Sequence, residues 1–80
     1  MTYSNSEIIE ILSNVLNVDA AELNNIDPND HLERYGLVSI NTIKLISLLE
    51  EKYEFEFRDE DLIFDKFNTL NKLYVLLNNY

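Results

Sequence analysis

The sequence predicts an all-α fold: a four-helix bundle of three long helices and one short third helix, with a long loop between helices 1 and 2. Three observations carry that expectation. Apolar residues recur at helical spacing in three separate stretches. Strand-like alternation occurs only in Tyr53-Glu54-Phe55-Glu56-Phe57, too short and isolated to form a sheet. Between Asn17 and Tyr35 the periodicity fades into Asp, Asn and Pro, residues that favour turns and caps.

The first helix is expected over about residues 5–17. Ser4 stands as N-cap with Glu7 three positions on, the pattern of a capping box. Ile8, Ile9, Ile11, Leu12, Val15 and Leu16 then follow one face. In the loop, Asp19-Ala20-Ala21-Glu22 has the makings of one helical turn, while Val18, Leu23, Ile26 and Leu32 are spaced like anchors onto a core. A loop this long in a small domain tends to be functional, although a plain crossover between near-parallel helices needs one too. It ends at Gly36, the lone glycine, where a positive φ or a close backbone approach is expected. A second helix runs on to Tyr53. Residues 53–57 read as an extended linker with Phe55 or Phe57 tucked inward. Asp59-Glu60-Asp61 opens a short third helix at about 59–65 carrying Leu62, Ile63 and Phe64, with acids where the helix dipole favours them. Asn68 or Thr69 caps a last helix that turns Leu70, Leu73, Tyr74 and Leu77 inward.

Eighty residues make a single domain, 1–80. Such a chain buries only about 60–65% of its unfolded surface, which leaves little room for a deep cleft. The net charge is −9, and the basic residues are scattered singly. This weighs against nucleic acid, which requires clustered Lys and Arg, and against anionic membranes. An acidic surface suits partners with basic patches, although it also serves solubility alone. No stretch approaches the ~20 apolar residues of a membrane span, and no targeting segment is visible, so a cytoplasmic protein is expected. With no cysteine, disulfides, thiolate metal sites and a cysteine nucleophile are excluded.

The usual catalytic constellations are also missing. His31 is the sole histidine, so a histidine metal cluster cannot form within one chain. Pairing it with Ser39 as a hydrolase would demand an oxyanion hole and a pocket that so small a core hardly supplies. Counting from Asp27 or Asp59, the glycine and glutamate of a calcium-binding EF-hand loop are absent. A single glycine cannot build a phosphate-cradling loop. The pairs Glu50/Glu51 and Glu54/Glu56 read as a solvated face, because no cleft brings them to a sugar.

What remains is the helix that starts at Ser39. On a helical wheel with Ser39 at zero, Thr42, Leu45, Ile46, Leu49 and Tyr53 fall within roughly 240–340°, a core stripe. Ile40, Ile43 and Ser47 fall at roughly 40–100°, a second patch beside the serine. Pattern alone leaves open whether this patch packs inside a bundle or faces partners. Ser39 sits where free N–H groups and the helix dipole favour a negative group, a place where a serine also serves as a simple cap.

The run Leu32-Glu33-Arg34-Tyr35-Gly36-Leu37-Val38-Ser39-Ile40 resembles the phosphopantetheine attachment motif of acyl and peptidyl carrier proteins. The likeness extends through the second helix, Glu50-Glu51 and the acidic start of the short third helix, and so covers essentially the whole chain. It implies a right-handed four-helix bundle, usually monomeric, with 4′-phosphopantetheine on Ser39, transferred from coenzyme A by a phosphopantetheinyl transferase. The arm's thiol would carry an acyl or aminoacyl thioester between loading and condensing or transferring enzymes. The chain itself would not be a catalyst, which accounts for the missing nucleophile. Leu37, Val38, Ile40, Ile43, Lys44, Ser47 and Ile63 are expected to face those partners.

Three positions depart from the family pattern. Val38 stands where an acid or histidine usually precedes the serine. Asn41 and Lys44 stand where fatty-acid carriers show acids. The expectation is a carrier for a specialised polyketide, nonribosomal-peptide or related assembly. The alternatives are a housekeeping fatty-acid carrier and a carrier-like interaction module without the arm.

Overall fold

A computed structural model describes residues 2–80. Among them are four α-helices and no strand: α1 (Asn5–Leu16), α2 (Ala20–Asn25), α3 (Ser39–Tyr53) and α4 (Leu70–Asn78). Short 3-10 turns lie at Leu32–Tyr35, Asp59–Asp61 and Phe64–Lys66. The all-α, four-helix class expected from the periodicity is the one found.

The capping box forms as anticipated. Ser4 Oγ accepts from the Glu7 N–H at 3.2 Å, and Glu7 Oε1 accepts from the Ser4 N–H at 3.3 Å. Thr69, not Asn68, caps α4: its Oγ1 accepts from the Lys72 N–H at 3.0 Å. α1 packs on both α2 and α3. Ile8 and Leu12 of α1, Leu23 of α2, Leu45 and Leu49 of α3, and Leu73 and Leu77 of α4 are all fully buried in one core. Each such leucine contributes about 2 kcal/mol of transfer free energy.

The fourth helix is distributed differently from the expectation. The loop between the long helices holds α2, more than the single turn predicted. The expected helix at 59–65 is instead two 3-10 turns separated by Leu62 (φ −82°, ψ 59°) and an extended Ile63. The break has a cause. Asp61 is drawn inward, so Leu62 and Ile63 are left facing solvent, and no apolar stripe holds an α-helix on the core. A segment this short does not stay helical on propensity alone.

The linker after α3 brings both aromatics inward. Phe57 is buried and Phe55 half-buried, their ring centroids 4.7 Å apart. Glu50 Oε2 accepts from the Phe57 N–H at 2.9 Å and fixes the turn, while Glu54 ends α3 in the left-handed region at φ 55°.

The long loop is pinned to the start of α4. The Leu32 N–H donates to the Asn68 carbonyl at 2.8 Å, and the Asn71 N–H donates to the Pro28 carbonyl at 3.1 Å. The Asn71 side chain donates to Asn29 Oδ1 at 2.7 Å. These bonds replace an internal ladder and set where the chain re-enters the bundle before Ser39.

Candidate functional site: the start of helix α3

Gly36 has φ +106°, and a Cβ added there would meet nothing within 4 Å. Of the two expectations for this glycine, left-handed backbone is the one realised; close approach is not. The turn drives Leu37 into the core, where it is fully buried and its N–H donates to the Leu32 carbonyl at 3.1 Å. Leu37 therefore anchors the loop and is withdrawn from the partner-facing set, because no part of it reaches the surface. An apolar residue two places before an exposed serine gave no sign in sequence of which way it would turn.

Val38 is extended and occupies the N-cap of α3, so Ser39 is the first helical residue and not the cap. Valine offers no acceptor to the first turn. The bonding runs the other way. Asn41 Oδ1 accepts from the Val38 N–H at 2.7 Å, and Asn41 Nδ2 donates to the Gly36 carbonyl at 2.9 Å. Thr42 Oγ1 donates to the Val38 carbonyl at 2.7 Å. Ser39 itself is exposed, and among the described residues no hydrogen bond engages its hydroxyl.

The two-striped reading of α3 resolves cleanly. Thr42, Leu45 and Leu49 are buried, with Ile46 and Tyr53 half-buried behind them. Ile40 is 82% exposed and Ile43 65%, and Ser47 is exposed beside them. The second patch does not pack inside the bundle. Val38, Lys44 and Ile63 are exposed as well, and Lys44 takes part in no ion pair among the described residues.

An apolar cleft of about 190 Å³ begins at Ser39 and runs between α3 and the 3-10 segment, lined by Ile43, Ile46, Leu62, Ile63 and Phe64. Leu62 joins this surface, a placement that sequence reasoning missed. Leu62 and Ile63 are adjacent and only helical phase could have sorted them, but the segment is not one helix. A roomier cleft of about 410 Å³ lies elsewhere, along α4 between Lys66 and Val75, and no hydroxyl side chain lines it.

No carboxylate occurs between Gly36 and Leu49. The nearest acids in the loop are engaged with their own neighbours: Asp30 with Arg34 at 3.7 Å, and Glu33 with His31 at 3.6 Å. No hydrogen bond joins His31 to Ser39 among the described residues, so the elements of a hydrolytic pair are not assembled.

Fold and site together define a small helical bundle that presents one unengaged serine hydroxyl at a helix start, framed by apolar side chains. The family model for a phosphopantetheine attachment site matches residues 6–77, nearly the whole chain. The chain belongs to the family of phosphopantetheine-binding carrier domains, which take 4′-phosphopantetheine covalently and are generally carriers, not catalysts. The residues present fit such a group. The hydroxyl is free, the first-turn N–H groups have no side-chain acceptor, and no carboxylate on α3 before Glu50 repels a phosphodiester. No helix is long and apolar enough to cross a membrane among the described residues.

Proposed function

We propose that this chain is an acyl or aminoacyl carrier that holds its cargo as a thioester on an arm attached at Ser39. The observation that carries the reading is the exposed, unengaged Ser39 hydroxyl at the start of α3 in a chain of the phosphopantetheine-binding family. In the modification step Ser39 Oγ forms a bond to the phosphorus of coenzyme A that bears the pantetheine. The pyrophosphate P–O bond breaks, 3′,5′-adenosine bisphosphate leaves, and the serine proton passes to a base on the transferase. When bound, the arm supplies the thiol that the protein lacks. The protein's own residues present the hydroxyl, offer first-turn N–H groups to the phosphodiester, and display the apolar surface of Val38, Ile40, Ile43 and Ile63 to enzymes.

The test is an intact mass after incubation with coenzyme A and a broad-range transferase. One phosphopantetheine should be gained, and Ser39→Ala should abolish the gain while leaving the helical circular dichroism unchanged. No gain with several transferases would favour the interaction module without an arm. Val38 is the residue that spoke for that module. Its backbone is held by Asn41 and Thr42, which supports a loop that keeps its shape with no acid at this position.

We also infer a specialised pathway in the cytoplasm and not housekeeping fatty-acid synthesis. Support comes from the front of α3, where Ile40, Asn41, Ile43, Lys44 and Ser47 carry no negative charge while the chain as a whole is at −9. Partners that dock here meet apolar side chains and one cation, so a strongly basic partner surface gains little. Equal charging of the holo protein and of a housekeeping carrier by a fatty-acid malonyl transferase would overturn this inference.

A further inference from the structure

We propose that Asn41 is the positioning residue for transfer of the arm onto Ser39. This rests on the reading of Ser39 as the acceptor and goes beyond it, because nothing in the family match singles out position 41.

The reasoning starts from what holds the serine in place. Gly36 lies in the left-handed region with open space around its Cα, so no steric wall fixes the turn. Val38 is 55% exposed and cannot cap the helix. Gly36 and Leu37 donate their N–H groups back to the Glu33 and Leu32 carbonyls and Leu37 is buried, but beyond Leu37 the approach to Ser39 is held by side chains of α3 itself. The Asn41 carboxamide makes two bonds on the N-terminal side of the serine, to the Val38 N–H at 2.7 Å and to the Gly36 carbonyl at 2.9 Å. Its orientation is set by its partners: the amide N–H requires an oxygen and the carbonyl requires a donor. A carboxylate could take the first bond but not give the second, and its other oxygen would face the Gly36 carbonyl. The shorter bond makes Asn41 the returning half of a capping box whose forward half valine cannot supply.

This division leaves Ser39 Oγ unengaged while the peptide groups before it are fixed. A nucleophile so held is pre-oriented for in-line attack on the coenzyme A phosphorus, and small misplacements of such groups cost rate steeply. Asn41 touches neither substrate nor arm; it acts through the backbone on either side of Val38.

Steady-state transfer from coenzyme A by a broad-range transferase tests the idea, with the apo protein as substrate. Asn41→Ala should lower kcat about tenfold while KM for the apo protein changes less than about twofold, because the docking surface is intact. Amide exchange at Val38 should speed up in the same variant. Asn41→Asp keeps the Val38 bond, so it should retain Val38 protection and lose kcat through the Gly36 contact alone. If circular dichroism shows Asn41→Ala unfolded at the assay temperature, Asn41→Asp carries the test through its kcat. An unchanged kcat in a folded variant overturns the proposal, as does a rise in KM at constant kcat. A wild-type protein that accepts no arm would instead overturn the reading of Ser39, so the two failures are distinguishable.

Discussion

Two regions of the molecule, the Ser39 end of the apolar cleft and the cluster around Asp61, are built on opposite plans. At the Ser39 end, the serine hydroxyl is idle, the neighbouring side chains are exposed, and the only bonds are those that hold the backbone. Around Asp61, beyond Leu62 and Ile63, nearly everything is engaged. Asp61 is only 7% exposed, with its carboxylate taking Lys66 Nζ at 2.6 Å and the Tyr80 hydroxyl at 2.5 Å. Arg58 adds a bond to the same carboxylate at 3.4 Å and lays its guanidinium 4.8 Å from the Tyr80 ring centre. Tyr80 in turn meets Phe55 and Phe57 edge-on or tilted, with centroids just over 5 Å apart. The difference teaches a separation of duties. One region holds the fold, so that the other can remain open to enzymes.

Three substitutions or conditions probe that separation, in descending size. Phe57→Ala should be the most damaging. Its ring packs edge-on against Phe55, Phe67 and Tyr80, and truncation should cost about 3–5 kcal/mol by urea denaturation. Whatever fraction remains folded should still accept the arm at Ser39. Failure of both together would mean the two regions are not separate.

Acid should act next, and on the same region. The Lys66 ammonium foremost, and the Tyr80 hydroxyl after it, hold the Asp61 carboxyl well below its ordinary 3.8, at about 2. Because the folded value is the lower one, the stabilisation is complete above about pH 4 and is lost as pH falls towards 2. Urea midpoints measured from pH 7 down to 2 should therefore show a steeper decline below pH 4 in the wild type than in Asp61→Asn. Parallel curves would remove Asp61 from its place in the stability of this region.

The smallest effect on stability should come from Ile43→Asp at the open end. With its side chain 65% exposed, the midpoint should move by no more than about 0.5 kcal/mol. Modification by the transferase should weaken all the same, through loss of apolar contact. A large fall in the midpoint would put Ile43 in the core and dissolve the contrast between the two regions.

The sequence carried the parts of this picture that depend on periodicity and short-range bonding. The α1 capping box, the Thr42-Leu45-Leu49 stripe and the grouping of Ile40, Ile43 and Ser47 beside Ser39 all follow from spacing of three and four, whereas the exposure of that last group came only with the fold. Gly36 was legible as a special backbone position because it stands alone. Where long-range packing decided, spacing fell silent. Leu37 and Leu62 have the same chemistry, but one is buried by the Gly36 turn and the other expelled when Asp61 turns inward. Asp61 looked like one of three helix-start acids, and only the fold brings Lys66 and Tyr80 to it. Asn41 appeared merely as a missing acid. Its two bonds needed the turn before Ser39 to exist.

The pins between the long loop and the start of α4 bear on the order of events during synthesis. Asn29 and Asn71 are 42 residues apart, and Glu33 meets Asn68 across 35. Until the ribosome has released the chain beyond Asn71, the segment leading into Gly36 lacks these partners, although Ser39 has long since emerged. The geometry that presents the hydroxyl is thus completed by residues made well after the serine itself. A chain not yet extended past Asn71 offers the serine on a loose tether, and one that includes α4 offers it on a fixed one.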